Sequence, residues 1–313
     1  MYVSYALLRN IDSNNDKLDF GDFRLWRIDP TNIHTLPESL RETARINNWI
    51  YERQYSGSAG PSAELNFLGR IFHDLENTIL LLRLFRSGDV VVFQHKIRQP
   101  DGNLLHKYPT RVMSDYISTA YYKIAQSECE QWNTFAADLK ACAAWKSAWF
   151  AVARRFFMYG CSKEFEPDFG EVDRVVDFMI SLEATLVPEK EFVARRLRNR
   201  GAAMAGGLKN TKGLLRDFYS IRSATAHGSD VSTSDRTMIA SMMPEFEVVV
   251  RTILVAGLKT LPPDEARRRL VLEALYNPSD DEREAEAISA IKRFVRVQHR
   301  PEVVRSLMKL YDR

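Results

Sequence analysis

The stretch DYISTAYYKIAQSECEQWNTFAADLKACAAWKSAWFAVARRFFMYG, residues 115 to 160, holds no glycine or proline before its final glycine. Nothing in it ends a helix locally, so from about residue 114 the pattern reads as nearly continuous helix, long enough for at least two packed helices. More helical segments follow. EVDRVVDFMISLEATLV (171 to 187) sets Val172, Val176, Met179 and Leu186 on one stripe and stops before Pro188. EKEFVARRLRNRGAAMAGG (189 to 207) is basic and closes on paired glycines, and TKGLLRDFYSIRSATAH (211 to 227) ends at Gly228, where a helix C-terminal cap belongs. After the polar loop SDVSTSD (229 to 235) another helix runs to about Thr260, with Pro244 as a kink or restart. The remainder reads as short charged helices broken by Pro278 and Pro301.

The first hundred residues are mixed. DFRLWRI (22 to 28) and DVVVFQHKI (89 to 97) have the β-branched and aromatic content of strands. Between them, Leu65, Leu68, Phe72, Leu75, Ile79 and Leu82 fall at helical spacing, so 62 to 85 is a helix. RQYSGSAGPS (53 to 62) reads as a loop and QPDGN (99 to 103) as a turn. The expected fold class is therefore α+β overall and mostly α: a mixed N-terminal domain over 1–113, a helical bundle over 114–260 and a helical C-terminal extension over 261–313.

Several function classes are set aside at this point. The most apolar stretch, TILLLRLF (78 to 85), is far short of the roughly 20 residues that span a bilayer and contains Arg83. The start, MYVSYALLRNIDSNNDK, lacks the pattern of a signal peptide. Cys129, Cys142 and Cys161 are odd in number and widely spaced, which fits a reduced compartment and neither a zinc site nor a disulfide framework. The expectation is a cytoplasmic protein without membrane partner, metal or other cofactor. Net charge is only +3, so a nucleic-acid partner needs a local basic patch.

The candidate chemistry lies in FYSIRSATAHG (218 to 228). On a helix, Arg222 shares the stripe of Leu215 and Phe218, and a guanidinium there requires an anion. Glu183, in line with Met179 and Val176, is the internal candidate; a phosphate is the external one. His227 points about 140° away from Arg222 and aligns instead with Ser223, Ser220 and Arg216. The two share a site only if the helix unwinds or a second copy completes it; a twofold axis beside the helix brings both pairs together. An imidazole can take a proton from a ribose 2′-hydroxyl or return one to a leaving 5′-oxygen, worth roughly 10² to 10⁴ in rate. A guanidinium fork suits phosphate oxygens and the charge that builds on them. The bland alternative is an Arg222–Glu183 ion pair, with His227 ending a helix beside its carbonyl dipoles. A Ser223 nucleophile is disfavoured, since no GxSxG elbow accompanies it.

FYSIRSATAHG, preceded by FMISLEATLV (178 to 187) and VARRLRNRGAAM (193 to 204), resembles the HEPN domain family, and its Apea-like branch in particular. The resemblance covers about residues 130 to 260 and rests on an arginine and a histidine with four residues between them, here Arg222 and His227. It implies a helical bundle that dimerises through the motif helix. It also implies a metal-independent endoribonuclease leaving a cyclic phosphate, in a family with many antiviral and toxin members. Arg222 and His227 would be catalytic, with Ser223, Tyr219 and Glu183 supporting. Ser223 stands where the family's most active ribonucleases carry Asn, Asp or His. Arg195, Arg196, Arg198, Arg200 and Arg216 are the candidate RNA track, against the alternative of a solvated face. The partners expected are RNA, a second copy of the chain and a regulatory partner at the N-terminal domain. The competing classes are a non-catalytic HEPN module that binds RNA or protein, and a structural dimeriser. Trp132, Trp145, Trp149, Tyr121 and Tyr122 read as core rather than base-stacking groups. His34, His73, His95, His106 and His299 do not cluster in sequence.

Overall fold

A computed structural model describes residues 1–41, 44, 48–56, 61–88, 90–106, 121–162, 170–276, 279, 282 and 283. Six strands form an antiparallel sheet in the order β3-β4-β5-β1-β6-β7, comprising β1 (Tyr2–Arg9), β3 (Lys17–Asp19), β4 (Arg24–Arg27), β5 (Trp49–Tyr55), β6 (Val91–Arg98) and β7 (Leu104–His106). A separate parallel pair joins β2 (Ile11–Asp12) to β8 (Tyr122–Lys123). β1 is covered on both sides. Val3, Tyr5 and Leu7 pack with Ile28, Leu36, Leu40 and Ile50, while Ala6 and Leu8 face the main core. α1 (Glu38–Arg41) lies on the first of these faces, and α2 (Pro61–Phe85) places Leu75, Ile79 and Leu82 in the main core.

The helical part comprises α3 (Cys129–Ala141), α4 (Ala148–Ser162), α5 (Gly170–Leu186), α6 (Val193–Met204), α7 (Thr211–Ala226), α8 (Thr233–Thr260) and α9 (Glu265–Ala274). α5 is the central helix, in contact with α4, α6, α7 and α8. Its near-total burial explains the apolar run of its sequence. α4 approaches it closely because Gly160 has no side chain: a Cβ there would lie 2.6 Å from the Phe178 ring. Phe218 of α7 stacks on Phe246 of α8 with centroids 4.1 Å apart, so the motif helix is pinned through its apolar face.

The mostly helical α+β architecture is as expected, with local corrections. The segment 53 to 62 is not all loop, since β5 runs to Tyr55 and α2 begins at Pro61. The supposedly continuous helix after 114 contains strand β8 and short 3₁₀ turns at Gln126–Glu128 and Ala143–Lys146 before α3 and α4, respectively. The basic helix begins at Val193, not 189, because Phe192 adopts a left-handed backbone at φ 52°. Pro244 neither breaks nor restarts α8. The expected boundary at 113/114 lies outside the described residues, as does most of the tail beyond α9, including Pro278 and Pro301. The core is continuous across both expected boundaries: Trp132 of α3 meets Phe20 and Phe23 edge-on at 5.1 and 5.3 Å, and Leu272 of α9 joins the same cluster. Arg83 is buried at the junction of α2 with the bundle, donating to the carbonyls of Val90 at 2.9 Å and Met158 at 3.3 Å. Among the described residues no helix is long and apolar enough to cross a membrane.

Candidate functional site

α7 carries two faces. Leu214, Leu215, Phe218 and Ile221 are buried against the bundle. Arg216, Ser220, Ser223 and His227 run along the outer side, with Arg216, Ser220 and His227 exposed and Ser223 half-buried. From Arg216 to His227 that stripe rises through 11 steps, or about 16 Å at 1.5 Å per residue. The helix ends in a Schellman cap: Gly228 N–H donates to the Thr225 carbonyl and Ser229 N–H to that of Ala224, each at 3.0 Å, with Gly228 at φ +73°. This cap terminates the helix at His227 and leaves the imidazole in solvent.

Arg222 sits at the edge of the buried stripe. Its Nη2 donates to Glu183 Oε2 of α5 at 3.0 Å, and the two side chains are 25% and 19% exposed. The internal partner identified from the sequence is thus engaged. The pair is incomplete, however. Glu183 Oε1 and Arg222 Nε are both buried without a hydrogen-bond partner among the described residues. Burial pushes the Glu183 carboxyl above the ordinary carboxylate range, and the Arg222 charge only partly offsets it. Tyr219, one turn before Arg222, lies with its ring 5.8 Å from the guanidinium carbon. Its hydroxyl is raised by burial and by the charge of Glu183, against the pull of Arg222.

Upstream along α7 a groove of about 500 Å³ opens towards the start of α6, lined by Phe192, Arg195, Arg198, Arg216 and Tyr219. Three of the five arginines expected to track RNA therefore converge on one concavity that shares Tyr219 with the Arg222 site. The other two do not. Arg200 is fully buried and ties helices together: it donates to Glu189 at 2.7 and 3.0 Å, to Glu273 at 3.0 Å, and to the carbonyls of Leu186 and Leu272 at 2.8 and 2.9 Å. Its place in the RNA track is corrected on that ground. Arg196, 16% exposed, is held by the same carboxylates, at 3.5 Å from Glu189 and 2.7 Å from Glu273.

Among the other residues noted from sequence, Trp132, Trp149 and Tyr122 are core, Trp145 is half-buried and Tyr121 is exposed. His95 is half-buried beside Ser4, its Nε2 2.7 Å from the hydroxyl, and burial pushes its pKa down to about 4. His73 pairs with Glu76 at 3.2 Å on the surface, His34 is exposed, and His299 lies outside the described residues. Cys129 and Cys161 are buried, which pushes their thiols up to about 11 and about 12, so neither is poised as a nucleophile. Two groups at the groove escape the sequence reading. Phe192 carries no motif, and Glu282, which closes on Arg198, is signalled only by the helix-start pattern SDDE (279 to 282).

Comparison with protein-family models, curated proteins and solved structures finds no match to this chain.

Proposed function

We propose that the chain is a HEPN-type, metal-independent endoribonuclease that works as a homodimer through α7. Arg222 holds the scissile phosphate and His227 moves the protons. In the reaction a ribose 2′-hydroxyl gives its proton to imidazole and its oxygen bonds to phosphorus. The bond from phosphorus to the 5′-oxygen breaks, and that oxygen receives a proton from imidazolium. The products are a 2′,3′-cyclic phosphate and a 5′-hydroxyl. The observation that carries this reading is a partly exposed Arg222, held by Glu183 through one hydrogen bond, on the same helix as a solvent-exposed His227. Glu183 orients the guanidinium through one nitrogen, and the guanidinium, its side chain 25% exposed, is the group that meets phosphate oxygens. Ser223 and Tyr219 flank the pair and support it. Within one protomer Arg222 and His227 lie on different sides of the helix, so the two groups meet only when a second copy packs α7 against α7. A bacterial antiviral or toxin role and a cytoplasmic location accompany the family resemblance and belong to the same proposal.

The Arg222–Glu183 hydrogen bond itself favours a second reading, in which the motif is the internal ion pair of a non-catalytic helix, a structural dimeriser or a module that binds RNA or protein. Incubation of purified protein with mixed RNAs in EDTA separates the two. The nuclease reading predicts cleavage with cyclic phosphate ends, abolished by His227→Ala and by Arg222→Ala with the fold intact. Binding without cleavage selects the module, and cleavage that survives His227→Ala refutes the assignment.

A further inference from the structure

The groove between α6 and α7 combines groups that single-stranded RNA uses. Arg195, Arg198 and Arg216 supply positive charge, and Phe192 and Tyr219 supply aromatic surface. Both rings are half-buried rather than sealed in the core, and Phe192 is held in place by a left-handed backbone that a phenylalanine adopts only when its surroundings impose it. One of these arginines already holds the carboxylate of Glu282, and a second holds its main chain. The Glu282 carboxylate pairs with Arg198 and accepts from Asn199 Nδ2 at 3.4 Å, while the Glu282 main-chain carbonyl accepts from Arg195 Nη1. Glu282 is fixed by a reciprocal turn, in which Ser279 N–H donates to Glu282 Oε2 at 2.8 Å and Glu282 N–H to Ser279 Oγ at 3.3 Å. Arg216, by contrast, is 67% exposed and, among the described residues, bonded to its neighbour Asp217.

We infer that this groove is a binding subsite for single-stranded RNA, in which backbone phosphates compete with the chain's own Glu282 for Arg195 and Arg198 while a base lies against Phe192 and Tyr219. The inference rests on the reading of the chain as an RNA-acting protein. Glu282 thus acts as an internal competitor: RNA that enters the groove displaces its carboxylate from Arg198, and that guanidinium takes a phosphate alongside Arg195 and Arg216. Tyr219 is common to the groove and to the Arg222 pair, so a strand held here continues along the exposed stripe of α7 towards His227.

The test is fluorescence anisotropy of a labelled 12-nucleotide oligouridine with the full chain, over a salt series. Glu282→Gln keeps the side-chain shape and removes the competing charge, and binding tightens about fivefold. Arg216→Glu changes an exposed side chain, so the fold is kept; binding weakens about tenfold and the salt slope falls by about one. Phe192→Ala weakens binding about tenfold through lost stacking. Equal affinities across all three variants overturn the subsite, even where EDTA-resistant cleavage still depends on His227 and the nuclease reading stands. The reverse outcome, RNA binding that follows Arg216 and Glu282 without any cleavage, upholds the subsite and removes the nuclease. A glutamate decamer that binds more tightly than the RNA overturns the choice of ligand, and failure of both the wild type and Glu282→Gln to bind RNA overturns the inference.

Discussion

Arg200 gives the sharpest structural prediction, because the sequence offers it as an RNA contact and the structure makes it a strut. Arg200→Met keeps an unbranched apolar stem and removes a guanidinium that is 0% exposed and bonded to two carboxylates and two carbonyls. Breaking a buried ion pair from one side costs about 3 to 5 kcal/mol. Glu189 retains Arg196 at 3.5 Å and Glu273 is 57% exposed and can be hydrated, so the lower end, about 3 kcal/mol, is expected. In urea unfolding, with a slope of about 3 kcal/mol per M for a chain of this size, the midpoint drops by about 1 M with the slope unchanged. The pH dependence carries a second signature. Burial alone would raise the Glu189 carboxyl, but hydrogen bonds and charge from Arg200, with Arg196 behind, bring it below its ordinary value. Its contribution is therefore present above the ordinary carboxylate range and lost as pH falls through the depressed folded value, and Arg200→Met weakens that acid dependence. A midpoint within about 0.2 M of wild type, with RNA affinity reduced, would refute the argument and return Arg200 to the RNA track.

Three further outcomes follow from the same geometry. Gly160→Ala drives a methyl to within 2.6 Å of a ring already packed between Phe157 and Phe246, so it costs about 1 to 3 kcal/mol, read as a Tm lower by about 3 to 10 °C. His95 is held neutral by burial at a pKa of about 4, while the unfolded chain protonates it near 6.5, so stability falls between pH 6.5 and 4 by at most about 3 kcal/mol; His95→Gln flattens that part of the stability–pH curve, and an unchanged slope would show that His95 is not its source. Gly228→Ala places a Cβ at φ +73° and costs about 1 kcal/mol in chemical denaturation, whereas Gly228→Asn, which tolerates that backbone, costs less; equal losses would deny the cap at the end of α7.

The elements that sequence reading found best are those with a clear period and punctuation. α2, α5 and α7 have apolar stripes and end at a turn, a proline or a glycine, and their observed limits lie within a residue or so of expectation. β1 and β5 escaped because YVSYALLR and WIYERQY are buried on both faces over much of their length, so the alternation that marks a half-exposed strand is missing. In the site, Glu183 could be paired with Arg222 because each falls in line with its own apolar stripe. The arginines of α6 could not be sorted the same way. Their carboxylates come from as near as Glu189 and as far as Glu282, and sequence proximity says nothing about which guanidinium each reaches. What distinguishes Arg200, a buried strut, from Arg216, an exposed groove residue, is tertiary packing alone.

In the proposed mechanism a guanidinium from one protomer and an imidazole from its twin act on one phosphodiester. Mixing Arg222→Ala protein with His227→Ala protein under conditions that exchange protomers tests it directly. Neither variant cleaves RNA alone, and the mixture, in which one dimer interface again holds one Arg222 and one His227, regains EDTA-resistant cleavage with cyclic phosphate ends. A mixture that forms mixed dimers and stays silent, or wild-type protein that pairs and binds RNA but never cuts it, contradicts the account.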